Sequence, residues 1–99
     1  MIRHIVMFKL KETSASNKQS LADEIKSRLT TLLEYIPELM SMEVGKNICN
    51  RSMAFDLVLI SDFKSLNALD KYRNHPMHIE VLEYLKKLVI ESTVVDYEL

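Results

Sequence analysis

Two stretches of this chain carry apolar side chains on both faces at strand period, and no other feature constrains the fold as much. In Ile2 to Lys11, His4, Val6, Phe8 and Leu10 point one way and Arg3, Ile5, Met7, Lys9 and Lys11 the other, with apolar residues on either side near the middle. Met53 to Phe63 is more apolar still, opening Met53-Ala54-Phe55-Asp56-Leu57-Val58-Leu59-Ile60. Asp56, the one charge in that octet, is expected near an edge or opposite a basic residue. Strands of this kind need cover on both faces.

The segments between them read as helices and two further strands. Glu12 to Lys18 is polar, with Thr13, Ser14, Ser16 and Asn17 as turn and cap formers, and Ser16 with Gln19 has capping-box spacing. Leu21, Ile25, Leu29, Leu32 and Ile36 then step along one face of a long amphipathic helix that Pro37 ends. Leu39 to Asn50 reads as a second strand in which Gly45 marks a bulge or a close backbone approach. Ser65 is placed to cap a short helix with Leu66, Leu69 and Tyr72 at helical spacing. Pro76 cannot continue it and suits the first position of a new helix, which should run to about Val89 with Ile79, Leu82, Leu85 and Leu88 or Val89 inward. Glu91 to Leu99 is the last strand.

The order β-α-β-β-α-β is the ferredoxin-like arrangement, an α+β fold whose antiparallel four-stranded sheet has helices on one face only. The other face must then be covered, and a second copy of the sheet is the economical cover. Two sheets packed face to face in a twofold homodimer would form a barrel with a cavity between them. A monomer would expose Val6, Phe8, Phe55 or their alternates as a patch too large for a soluble protein.

Composition narrows the function classes. Ninety-nine residues, 47% of them hydrophobic, suit one domain over residues 1–99. A net charge of −1 offers no electrostatic case for nucleic acid or an anionic membrane. No run is long enough to span a bilayer, and the opening Met1-Ile2-Arg3-His4 does not read as a signal peptide. The single cysteine, Cys49, fits a reducing compartment and reads as structural or incidental, so a cytoplasmic location is expected. One glycine excludes the usual phosphate-cradling loops.

Chemistry concentrates in Tyr72-Arg73-Asn74-His75-Pro76-Met77-His78. His78 falls in the first turn of the helix that Pro76 starts, where the helix field favours the neutral imidazole that a general base needs. Tyr72 ends the preceding helix, and its phenol can donate a hydrogen bond to a developing enolate or alkoxide. His75, before proline at a helix start, is placed to cap or to bond across the break. His75 and His78 at i and i+3, with no nearby carboxylate, make a thin metal signal, and nothing here calls for a cofactor.

The opening His4-Ile5-Val6-Met7-Phe8-Lys9-Leu10-Lys11, the block Phe55-Asp56-Leu57-Val58-Leu59-Ile60 through Tyr72-Arg73-Asn74-His75-Pro76-Met77-His78, and the closing Val95-Asp96-Tyr97 resemble the stress-responsive α/β-barrel (Dabb) family over nearly the whole chain. The resemblance implies a dimeric α/β barrel of ferredoxin-like subunits. It also implies a pocket for a small apolar or aromatic molecule, with His4, Val6, Phe8, Phe55, Leu57 and His75 as candidate ligand contacts. In the plant polyketide cyclase branch, the tyrosine and second histidine of the matching element act as acid and base, which here are Tyr72 and His78. Those cyclases also carry a histidine on the third strand, and Phe55-Asp56-Leu57-Val58 has none. A binding module is therefore the first expectation and a cofactor-independent cyclase or lyase the second. A cofactor-free or haem-linked oxygenase comes last, since only His4, His75 and His78 offer axial nitrogens.

Overall fold

The structure is a computed structural model that describes residues 1–12 and 14–99. Thr13, read above as a turn former, lies outside the described residues. The elements are β1 (Ile2–Leu10), α1 (Ala15–Tyr35), β2 (Ser41–Lys46), β3 (Leu57–Phe63), α2 (Leu66–Arg73), α3 (Pro76–Lys86) and β4 (Val89–Glu98). They form one antiparallel sheet in the order β2-β3-β1-β4, the ferredoxin-like topology expected from the sequence.

Register decides which face of each strand meets the helices. The cross-strand pairs Ile2↔Phe63, His4↔Ser61, Val6↔Leu59 and Phe8↔Leu57 lie on the helix side, and all but Val6 are buried. Ile25, Leu29, Leu32 and Ile36 from α1, with Leu69 and Tyr72 from α2 and Leu85 from α3, close the core over them. The alternate row of Arg3, Ile5 and Met7 on β1, Val58 and Ile60 on β3, and Val95 on β4 faces away from the helices. The two-sided sheet is therefore real, but its uncovered apolar row is Ile5, Met7, Val58, Ile60 and Val95. Val6 and Phe8 lie on the helix side and are not part of it. A polar row crosses one end of this open face: Arg3 donates to both carboxylate oxygens of Asp62 at 2.9 and 3.0 Å, and Ser41 donates to the same carboxylate at 3.1 Å. The Arg3 guanidinium holds the Asp62 carboxyl below its ordinary range.

Several boundaries differ from the periodicity reading for physical reasons. Met53 to Asp56 is loop, and β3 starts at Leu57. Asp56 does the work a strand partner would do. Its carboxylate accepts from Leu10 N at 2.8 Å and Lys18 Nζ at 3.1 Å, its own N–H donates to Phe8 O at 2.8 Å, and its carbonyl accepts from Asn47 N at 2.9 Å. The α1 N-cap is Ser14, whose Oγ accepts from Asn17 N, so Ser16 lies inside the helix. Ala22 is buried on the α1 inner face, while Leu21 is only half-buried. β2 keeps an unbroken register through Gly45, so there is no bulge. The glycine instead makes room for Val58, whose Cγ1 lies 3.0 Å from where a Cβ would stand. α3 stops at Lys86 and β4 starts at Val89, two residues earlier than the periodicity suggests, with a register shift opposite Lys9 and Leu10.

Because Asp56 ties β1, α1 and the start of β3 together through a mostly buried carboxylate, Asp56→Ala should lower unfolding free energy by roughly 2 kcal/mol, as expected for lost hydrogen bonds to a charged acceptor. Urea denaturation measures this, and a loss no larger than that of an exposed alanine substitution would refute the role.

Candidate functional site

The break between α2 and α3 builds the site through an exchange of hydrogen bonds. In a continuous helix the Arg73 carbonyl would accept from Met77 N. Here Met77 N donates to His75 Nδ1 at 3.1 Å, which makes His75 the N-cap of α3 with Pro76 in the first turn, as the sequence leads one to expect. His75 N donates in turn to Tyr72 O at 3.1 Å and Ile79 N to His75 O at 3.0 Å, so this residue joins the two helices. The released Arg73 carbonyl accepts from His78 Nδ1 at 3.0 Å. A carbonyl only accepts, so His78 carries its proton on Nδ1 when neutral, and Nε2 holds the free lone pair.

His78 lies against Tyr72, with ring centroids 4.4 Å apart, and Tyr72 against Phe63 at 5.0 Å. Burial lowers the His78 pKa below its ordinary 6.5, and His4, Arg73 and His75 add to this, while the bond to the Arg73 carbonyl opposes it. The direction is the one anticipated from the helix N-terminus, but the leading cause is desolvation. Tyr72 is fully buried, and burial pushes its phenol well above the ordinary value, so it stays a proton donor. Its hydroxyl has no hydrogen-bond partner among the described residues. A buried unpartnered hydroxyl costs roughly 1–3 kcal/mol.

His4 joins this group from β1. It is 9% exposed, its ring stands 6.4 Å from Phe63, and its Nδ1 lies 2.5 Å from Asp96 Oδ1 on β4, directly across the strand pair. Asp96 was not singled out as functional in the sequence. The available signal was an acid set among the β-branched residues of a strand, but pairing it with His4 requires the β1–β4 register.

The other candidates separate. Phe8 is buried and lines a hollow of about 340 Å³ with Leu82, Leu85, Val89 and Ile90, between α3 and β4. A second hollow of about 280 Å³ includes Ile2, Leu66 and Asp96. They exist because the helices leave the helix-side row of β4 uncovered, with Val94 55% exposed. For the same reason Ile79 and Leu82 of α3, and Leu66 of α2, are exposed and not inward as their spacing suggests. Neither hollow has Tyr72 or His78 in its lining. Val6 is half-buried against the core and Leu57 fully buried in it. Phe55 belongs to the open face of the sheet, beside Met7, Gly45 and Val58, with Lys9 Nζ 5.9 Å from its ring centroid. Among the described residues no group of three or more histidine, cysteine, aspartate or glutamate side chains could hold a metal, and no helix is long and apolar enough to cross a membrane.

Comparison with known proteins gives a family and a fold. The family model of the stress responsive A/B barrel domain matches residues 2–99. An uncharacterised protein of Streptomyces coelicolor is 31% identical over 78 residues, which cover 79% of each chain. A Bacteroides fragilis crystal structure, described as a dimeric protein of unknown function with a ferredoxin-like fold, superposes with a TM-score of 0.86 at 28% identity, covering 99% of this chain and 95% of the other. The hydroxynitrile lyase of Passiflora edulis has the same fold, with a TM-score of 0.80 at 20% identity over 97% of this chain and 90% of its own.

Two outcomes follow from the histidines. Since the folded His78 pKa lies below 6.5, the unfolded chain takes up the proton first, and the contribution of this group to stability is full above that pH and lost as pH falls toward the folded value. Urea midpoints should therefore drop between pH 7.5 and 5, and His78→Gln should flatten that part of the slope. His75→Ala should cost about 1 kcal/mol, the usual loss for an N-cap, and equal unfolding free energies for variant and wild type would rule out the capping role.

Proposed function

This chain belongs to the stress responsive A/B barrel domain family, and from that premise we propose that it works as a homodimer whose subunits each bind a small apolar or aromatic molecule. The binding region is the helix side of β4, between that strand and α3. The observation that carries the reading is this incompletely covered strand: apolar Phe8, Leu82, Leu85 and Ile90 lie at one end of it and the His4–Asp96 pair at the other. An apolar cleft with a few polar groups is the usual make-up of a small-molecule site. Dimerisation uses the open sheet face, where Ile5, Met7, Val58, Ile60 and Val95 need cover, and the Bacteroides relative is itself dimeric. The free thiol of Cys49 fits a cytoplasmic, reducing setting.

A second reading, a cyclase-like or lyase-like enzyme without a cofactor, is favoured by the unpartnered Tyr72 hydroxyl beneath the His78 ring. His78 Nε2 would remove a proton from a carbon or oxygen acid, and Tyr72 would donate to the oxygen on which negative charge develops. A substrate would reach the phenol only past His78. The Passiflora lyase supports no more than the fold's ability to host such chemistry.

Sedimentation at micromolar concentration should give twice the chain mass of 11.5 kDa, and Ile60→Glu should give a folded monomer. A wild-type monomer would remove the barrel reading. His78→Ala and Tyr72→Phe should leave folding and dimerisation nearly intact. In a binding module they alter only the affinity for an apolar probe such as 4-propylphenol, measured by calorimetry. In an enzyme each lowers turnover by ~100-fold or more, as loss of a general acid or base does. Full turnover in both variants eliminates the catalytic reading.

A further inference from the structure

The Arg3–Asp62 pair lies on the open face of the sheet, and the helix-side site makes no use of it. It belongs to a polar row that crosses the strands from β2 to β4 as Ser41, Asp62, Arg3 and Tyr97. The next two rows are mostly apolar: Glu43, Ile60, Ile5 and Val95, then Gly45, Val58, Met7 and Thr93. At the far end of β1, Lys9 stands opposite Glu91 and beside the Phe55 ring. The midline of the face thus has a cation–anion pair at one end, and a lysine on the same strand as Arg3 at the other. Arg3 donates through Nε and Nη2 to the two Asp62 oxygens, which leaves the N–H groups of Nη1 outside the fork. The Arg3 side chain is 35% exposed and that of Asp62 13%. Covering this face with a second sheet withdraws water from both charges, and a buried ion pair offsets that cost only when further polar partners are supplied.

The twofold axis of a face-to-face dimer can run along the strands or across them. Along them, the strand order β2-β3-β1-β4 sets β1 of each protomer over β3 of the other, and each Arg3 over the partner's Asp62. Across them, each strand lies over its own copy with the ends exchanged, and each Arg3 falls over the partner's Lys9. The first orientation joins four alternating charges. The second sets like charges together, which is costly at an interface. We propose that the partner this face accepts is a second copy of this chain in the first orientation, specified by reciprocal Arg3–Asp62 pairing across the twofold axis. The proposal rests on the open-face dimer described above and adds its orientation and the residues that select it.

The test mixes two charge-reversed chains, Arg3→Glu and Asp62→Lys. Alone, each carries like charges at both positions, and its dimer should be weaker than wild type by about tenfold or more. Mixed, the two acids of one chain lie over the two bases of the other, and native mass spectrometry should show heterodimer well above the random proportion. The like charges within each chain persist in the heterodimer, so a pair that acts only within the protomer gives no such rescue. A second measurement leaves the pair untouched. Lys64 follows β3 at the Arg3 end of the sheet, and a spin label on Lys64→Cys in a Cys49→Ser background reports the distance between its two copies. With sheets about 10 Å apart and strands rising about 3.3 Å per residue, that distance is about 15 Å in the first orientation and about 30 Å or more in the second. Heterodimer preference with the short distance is the expected result. Random pairing of folded variants, or the long distance, overturns the proposal and leaves the open-face dimer standing. If a charge-reversed chain does not fold, the label distance decides alone. If the wild type sediments as a monomer, the dimer reading fails and this proposal with it.

Discussion

Everything else in the molecule is arranged around the β1–β3 pair. These two central strands supply Ile2, Phe8, Leu10, Leu57, Leu59 and Phe63 to a single buried layer, and α1 covers most of it with Ile25, Leu29, Leu32 and Ile36. At about 25 cal/mol per Å² of apolar surface, that burial is the dominant favourable term for a chain of this size. The coverage is unequal across the sheet. β2 and β3 lie under α1 and α2, whereas β4 projects beyond the helical layer and has no buried residue on either face. The under-covered edge is where the hollows, the His4–Asp96 pair and the exposed side of α3 occur together, so the candidate site follows from a helical layer narrower than its sheet.

The helix break is the second organising device, and it acts through supply and demand of backbone groups. A helix start has N–H groups to satisfy, and a helix end has carbonyls. Joining α2 to α3 across Pro76 brings one of each together, and two histidines take them up. His75 accepts at the start of α3 and His78 donates at the end of α2. The same ring type thus has opposite roles three residues apart, and each bond fixes which nitrogen remains available. The free lone pair on His78 is a product of this backbone arrangement and requires no partner carboxylate.

Much of this was legible in the sequence, and the parts that were not share a cause. Strand and helix periods located the elements, Pro76 located the break, and the position of His75 before it indicated the cap. Period alone, however, divides a strand into two faces without saying which one meets the helices. Period alone therefore leaves open whether Val6 and Phe8 or their alternates form the exposed patch, which in fact belongs to Ile5, Met7, Val58 and Ile60. The outward placement of Ile79 and Leu82 was hidden for a related reason, since their spacing signals a core face but the narrow helical layer leaves that face open. The pairing of Asp96 with His4 was not legible because the two lie 92 positions apart in the chain. Met53 to Asp56 has the composition of a strand, and only the side-chain bonds of Asp56 to Leu10 and Lys18 show why it is held as loop.

The clamp around Asp56 also bears on how freely the length of the chain can change. The connection from β2 to β3 is closed at its base by the bond from Asn47 N to Asp56 O, and beyond it Ile48 is fully exposed and Met53 76% exposed. The tip of the loop contributes little to the core, while its two ends are fixed by bonds that do not involve the tip. Lengthening such a closed loop is cheap, about 0.6 kcal/mol for each doubling by the entropy of chain closure. Residues can therefore be inserted between Ile48 and Met53 without altering the register of β2 and β3 or displacing the site on the far edge of the sheet. That makes this hairpin tip the natural place for the chain to gain a segment, an affinity tag or a small guest domain.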